Sequence, residues 1–319
     1  MNQPLANRPE STPPEVEQAE QAWWQKFSEV EDRYCWVQPH AVQRVLREDY
    51  LREIIRQTPP NGRILELGCG TGWLCRLLAE FSEHRSIVGI DFSAAQIALA
   101  REQTSAARLS DRVQFICADG TSIADSSSRY DTVIVHGFLH HLNRTEIQRT
   151  LASVRDHLAP EGKFFIFEPY RRADLAVTTK SRSEYFLRAL IRLADPKRPF
   201  FARVHGPEET KARALIAQRH VGVFPFGPSP KEMPFSEGEL ESYLMKHFTV
   251  TQRQVCMAIS HHVTQAWLLR GLSAPRSTAL LLPMITRLAK WLDRKFITVP
   301  PHSGVWTFDM LVCRHLNQT

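Results

Sequence analysis

No hydrophobic run in these 319 residues is long enough to span a bilayer: the most apolar stretch, around Ala279 to Ile285, is far short of the ~20 residues a crossing helix needs. No CxxC pair occurs either. The six cysteines, Cys35, Cys69, Cys75, Cys117, Cys256 and Cys313, are scattered, and a chain of this size does not need disulfide staples. They read as reduced thiols, and a cytoplasmic location is expected. The opening residues carry Glu10, Glu15 and Glu17 among Pro9, Pro13 and Pro14, without the charged and then apolar regions of a secretory signal. Charge is not strongly of one sign: 40 Lys and Arg against 34 Asp and Glu leave +6, a mildly basic surface that gives no reason to expect a nucleic acid partner. Apolar residues at 43% and charged residues at 23% are ordinary for a globular protein, which disfavours a disordered or membrane-spanning class.

What is present is a pattern. Residues 1–14, polar and proline-bearing, are expected to form a disordered tail. From Ala19 to Ile55 apolar residues recur at helical spacing, which predicts two helices forming an N-terminal helical lid over 15–60. Short β-branched runs then alternate with helices: Arg63 to Leu67, Trp73 to Phe81, Ser86 to Ile90, Ala94 to Arg101, Val113 to Cys117, Thr132 to Val135, Ile147 to Leu158 and Lys163 to Phe167. This is the signature of a parallel sheet covered on both faces, an α/β doubly wound fold with its core at 61–170. The alternation stops after Pro169, and 171–235 is too long for a plain loop. It reads as a helical cap with helices at Glu184 to Leu193 and Glu208 to His220. Structure resumes over 236–319, with strands at Phe248 to Val255 and Trp306 to Cys313 and a helical insertion at 258–304. No internal repeat is visible.

The strongest chemical signal is Glu66, Leu67, Gly68, Cys69, Gly70, Thr71, Gly72, a buried strand running into a glycine turn that opens a helix. Glycines let a ligand approach the backbone, and the helix start offers unpaired N–H groups. The spacing is G-x-G-x-G, so the third glycine comes earlier than in the dinucleotide fingerprint. Twenty-one residues after Gly70, Asp91 ends the second strand, where a carboxylate can accept hydrogen bonds from both ribose hydroxyls. Its alternative role, capping the next helix, could be filled by Ser93.

With these motifs in order, the stretch from Arg63 to Tyr170 resembles the core of class I S-adenosylmethionine-dependent methyltransferases, a Rossmann-like fold with a seven-stranded sheet. The resemblance implies S-adenosyl-L-methionine as cofactor and S-adenosyl-L-homocysteine as product. It places the methionine part on the turn of Glu66, Gly68, Cys69, Gly70 and Gly72, the ribose on Asp91 with Phe92 beside it, and the adenine amino group on Asp119 with Gly120. His136, ending the fourth strand, would lie beside the sulfonium. The segment that follows, Gly137 to Leu142, lacks the N-P-P-Y tetrapeptide of amino-methylating enzymes, and no Pro-Cys marks a covalent cytosine mechanism. An L-H-H segment resembles methyltransferases of small molecules.

His140 and His141 are therefore the candidate catalytic residues: an imidazole titrating near neutral pH can take a proton from a hydroxyl or an ammonium acceptor. Tyr34 and Trp36, ahead of the N-terminal helix that closes over the cofactor in related enzymes, and Glu168 and Tyr170, past the fifth strand, are candidates for the acceptor pocket. His261 and His262 lack a third ligand, so no metal is expected. The segment 278–296, with Leu281, Met284, Ile285, Leu288, Trp291 and Leu292 at helical spacing and basic residues between, suits peripheral membrane contact, or packing on the cap or a second subunit of a homodimer. The leading expectation is a methyltransferase acting on oxygen or nitrogen of a small or medium-sized metabolite, such as a natural product, sugar or lipid-linked intermediate. An RNA or protein methyltransferase and a non-catalytic cofactor-binding scaffold are the alternatives; the oligomeric state, monomer or homodimer, is left open.

Overall fold

The computed structural model describes residues 8–37, 40–82, 86–123, 128–171, 229–236, 238–257, 260, 275–296 and 306–316. Strands β1 (Arg63–Leu67), β2 (Ser86–Asp91), β3 (Val113–Cys117), β4 (Tyr130–His136), β5 (Leu158–Arg171), β6 (Phe248–Met257) and β7 (Trp306–His315) form one sheet in the order β3-β2-β1-β4-β5-β7-β6. β1 to β5 run parallel, and β7 is antiparallel to both neighbours. The inner strands are apolar on both sides because both sides are covered: Ile64 and Ile134 enter one core, Leu65, Val133 and Val135 the other. Helices α1 (Pro14–Val37), α2 (His40–Gln57), α3 (Trp73–Phe81), α4 (Ala94–Ala106), α5 (Arg144–His157), α6 (Glu239–Leu244) and α7 (Pro275–Phe296) complete the described elements. The strand order reverses between β1 and β4, so their carboxyl ends open the crevice where doubly wound sheets take ligands.

α5 starts on a reciprocal cap. Asn143 Oδ1 accepts from Glu146 N–H at 2.9 Å while Glu146 Oε2 accepts from Asn143 N–H at 2.8 Å. Two otherwise unpaired donors are thereby satisfied. Asn143→Ala should lower stability by about 1 kcal/mol, read in urea denaturation; no change would mean the cap contributes nothing here.

Three features depart from the expectations. Residues 8–13 are not a free tail: Arg8 is buried, pairs with Glu239 at 2.9 Å, and donates to the carbonyls of Leu142 at 2.8 Å and Met233 at 2.7 Å, with its guanidinium 4.4 Å from the Phe235 ring. A lone arginine among prolines gives no local sign of partners 134 and 225 residues away. Second, β5 begins five residues earlier than its apolar run, because a register shift between Tyr130 and Thr132 absorbs Pro160 and Gly162. Third, α7 turns its polar side inward. Lys290 pairs with Asp49 and donates to the Cys256 carbonyl, both at 2.6 Å, Asp293 accepts from Ser260, and Met284, Leu288 and Trp291 are left 64%, 59% and 49% exposed. No helix among the described residues is long and apolar enough to cross a membrane. The expected cap helices of 184–193 and 208–220, and His261 and His262, lie outside the described residues.

Candidate active site at the carboxyl edge of the sheet

β1 delivers the chain into a turn in which Gly68, Gly70 and Gly72 have φ of +68°, +54° and +70°, a region that side chains disfavour. A Cβ on Gly68 would come within 2.4 Å of the Phe138 ring and one on Gly72 within 2.3 Å of Phe115, so these two glycines also serve packing. Gly70 faces only the end of the Gln96 side chain. Asp91 reaches this turn from β2. Its Oδ2 accepts from Gly70 N–H and its Oδ1 from Ser93 N–H, each at 2.9 Å, and each oxygen keeps a lone pair for a further donor. Burial raises the Asp91 pKa, against the two N–H donors. Ser93 caps α4 by accepting from Gln96 N–H, so Asp91 is not needed as a cap. Next to it Phe92 is 41% exposed, an aromatic face left open at the strand end. Asp119 lies exposed beyond β3, accepting from Thr121 N–H at 2.9 Å and the Thr121 hydroxyl at 2.7 Å, while Gly120 sits under the edge of Phe138.

Beneath the turn lies Glu66, fully buried. It accepts from the Cys75 thiol at 2.9 Å, and burial, assisted by the Asp91 charge, lifts its pKa to about 8. At neutral pH it is a neutral carboxylic acid.

On the other side of the crevice, β4 ends in a single turn of 3₁₀ helix, Leu139–His141. The β4–β5 register, His136 opposite Phe167, sets Glu168 beside this turn. Glu168 is fully buried. Its Oε1 accepts from the N–H groups of Phe138 at 2.9 Å and Leu139 at 2.8 Å, and its Oε2 lies 2.7 Å from His140 Nδ1. A carboxylate there accepts, so the His140 proton sits on Nδ1 and Nε2 keeps its lone pair. The His141 ring lies 4.0 Å from that of His140, with its Nδ1 3.2 Å from Ser229 Oγ and 3.3 Å from Glu20 Oε1. Burial and the neighbouring His140 hold the His141 pKa below the usual imidazole value, with Glu20 opposing. Glu20 and Ser229 carry no signal in the sequence, since neither stands in a local motif and they meet His141 from 121 and 88 residues away.

The remaining candidates separate from this pair. His136 turns to the opposite core, stacked 4.6 Å from Phe167 and edge-on to Trp73 at 5.0 Å. Its Nε2 is buried without a hydrogen-bond partner among the described residues, and burial holds its pKa well below the usual value. Cys69 is a core residue whose N–H is spent on the Ile90 carbonyl. Tyr170 lies wholly inside the second core, with the Arg253 guanidinium 5.0 Å from its ring, rather than on a pocket wall among the described residues. Tyr34 and Trp36 fall in the last turn of α1, ahead of α2, and their side chains are outside the described ones.

The sequence and the fold around this site are similar to those of known proteins. Residues 64–162 match the family model of a methyltransferase domain. The malonyl-[acyl-carrier protein] O-methyltransferase of Bacillus cytotoxicus is 36% identical over 100 residues, 31% of this chain and 33% of that protein. The demethylmenaquinone methyltransferase of Thermus thermophilus is 33% identical over 107 residues, 33% of this chain and 46% of that protein. The chain thus spans less than half the length of the curated relatives it matches. Among solved structures, coclaurine N-methyltransferase superposes with a TM-score of 0.50 at 14% identity, covering 84% of this chain and 70% of that one, and shares its fold. Residues 64–162 thus carry a methyltransferase domain.

Proposed function

We propose that the protein transfers a methyl group from S-adenosyl-L-methionine directly to an oxygen or nitrogen of a small or medium-sized metabolite. The observation that carries the acceptor side is His140, held through Nδ1 by buried Glu168 at 2.7 Å at the mouth of the β1–β4 crevice. The cofactor side fits the residues present. The turn at Gly70 leaves space for the methionine part beside the N-terminus of α3, and the two spare lone pairs of Asp91 suit the ribose hydroxyls. The open Phe92 ring and exposed Asp119 suit adenine. Similarity to relatives named for malonyl-[acyl-carrier protein] and demethylmenaquinone supports a metabolite acceptor over a nucleic acid.

The cofactor supplies a methyl carbon activated by a sulfonium. Positioning the acceptor in line with it can account for roughly 7–11 kcal/mol of the barrier, and this is what the crevice walls contribute. His140 Nε2 receives the proton that a hydroxyl or ammonium acceptor must lose. The test is calorimetric titration of the full chain with S-adenosylmethionine and S-adenosylhomocysteine, followed by an acceptor screen read by mass. A folded protein that binds neither would overturn the proposal.

One consequence concerns Asp91 directly. Asp91→Ala removes acceptors for both ribose hydroxyls, and hydrogen bonds to a charged group contribute about 1.5–3 kcal/mol. Affinity for S-adenosylhomocysteine should fall about 10- to 100-fold in calorimetry, and unchanged affinity would remove Asp91 from the ribose site.

A further inference from the structure

The 3₁₀ turn carries two imidazoles in contact, and the mechanism above uses one. The second has a carboxylate of its own, drawn from outside the matched methyltransferase domain. Glu20 lies on α1 and is almost wholly buried, yet four donors converge on it: Trp24 Nε1–H at 2.7 Å, the Ser229 hydroxyl at 2.5 Å, Lys231 N–H at 2.9 Å, and the Nδ1 side of His141 at 3.3 Å. The Ser229 hydroxyl spends its only hydrogen on Glu20, so toward His141 Nδ1 its oxygen can only accept. Both neighbours of Nδ1 are therefore acceptors, and the proton of a neutral His141 must sit on Nδ1. Its Nε2 has no hydrogen-bond partner among the described residues and carries the lone pair, as in His140.

We infer that Glu20 is a positioning residue of the active site, which fixes His141 in the Nδ1–H tautomer and so sets a second imidazole lone pair beside that of His140 for the methyl acceptor. The inference builds on the proposed function for its purpose, though not for its geometry. The N-terminal helix thereby acquires a chemical role, since α1 brings Glu20 to His141 and packs the Trp24 ring 5.4 Å from the imidazole. Lys231 ties the same segment down through Glu17 at 2.9 Å and Glu146 at 3.2 Å. The groups acting on His141 are His140 on its own turn, Glu20 on α1, Glu232 on the 229–236 segment and Asp91 on β2. Burial raises the Glu20 pKa and its donors lower it, the balance falling at about 2, so it stays ionised across the working range.

Nitrogen-15 NMR of the imidazoles in the full chain tests this without any acceptor. Wild-type His141 should show the Nδ1–H tautomer. Glu20→Gln keeps the shape but only one oxygen, which can accept on the Trp24 side or on the Lys231 side and not on both, and the charge opposite His141 is gone. Its titration midpoint should fall by about one unit or more, as expected for loss of an opposite charge within ~4–6 Å. S-adenosylhomocysteine affinity should stay within about twofold, and Glu20→Asp should restore part of the shift. A wild-type His141 in the Nε2–H tautomer, or a midpoint indifferent to Glu20→Gln, overturns the inference. A wild-type chain that binds no cofactor fails the proposed function instead, and the two failures are read in different experiments.

Discussion

Glu168→Gln is expected to leave the protein folded and slow methyl transfer by on the order of 10²- to 10⁴-fold, the range general-base catalysis contributes, while Glu168→Ala should also lose about 3–5 kcal/mol of stability. The difference follows from what each oxygen does. Oε1 satisfies two backbone N–H groups of the histidine turn, and the glutamine carbonyl can take over that role. Oε2 accepts from His140 Nδ1 at 2.7 Å. An amide there donates instead, forcing the His140 proton onto Nε2 and removing the lone pair that meets the acceptor. Alanine abandons two buried N–H groups and an imidazole together, and no water-exposed route offsets the loss, since Glu168 is fully buried. Thermal or urea denaturation reads the stability arm, and initial rates on any acceptor found in a screen read the other. Full activity in Glu168→Gln would confine Glu168 to holding the turn and leave His140 without a base role.

Much of the candidate site is legible in the sequence because the half proposed to hold the cofactor is local. The glycine turn lies within seven residues of Glu66, and each strand-end acid follows its own apolar run, so periodicity and spacing place them. The half proposed to meet the acceptor is assembled from distant pieces. His140 stands out by its segment, but its partner Glu168 is one of two candidates near the end of β5, and alternation puts Glu168 and Tyr170 on the same face, so the strand period does not tell the one that meets His140 from the one that packs in the core. Nothing near Glu20, Ser229 or Arg8 announces that they converge on the same turn, because each contact closes a loop of roughly 90 to 130 residues and leaves no period behind. α7 teaches a related lesson. Helical spacing groups Met284, Leu288 and Trp291 on one face, and hydrophobicity alone would bury that face. Lys290 and Asp293 are buried instead because each finds a specific polar partner, Asp49 or Ser260, so the apolar stripe stays outside.

Glu66→Gln should stabilise the protein, and by an amount that grows with pH. Glu66 is a carboxyl whose pKa is raised, largely by burial, from 4.5 to about 8 on folding. Such a group contributes its full share of stability below pH 4.5, where both states are protonated, and loses it as the pH climbs through 8, where the unfolded chain holds a free carboxylate and the folded one resists ionisation. At about 1.4 kcal/mol per unit, the loss by pH 9 is on the order of 4–5 kcal/mol. Glutamine keeps the shape and an acceptor for the Cys75 thiol but does not titrate. Denaturation curves of the two proteins should therefore coincide near pH 4.5 and diverge steadily to pH 8 or 9, with the variant the more stable; parallel curves would mean that Glu66 is ionised in the folded state throughout. The same linkage reaches the cofactor of the proposed function. A cofactor ammonium held at the glycine turn, as the proposed function would have it, would favour the ionised form of the Glu66 carboxyl, so wild-type affinity should rise between about pH 6 and 8 with release of a proton, measurable by calorimetry in buffers of different ionisation enthalpy. The Gln variant should bind with no such dependence, and a dependence that survives the substitution would assign the proton to Asp91 or to the histidine turn.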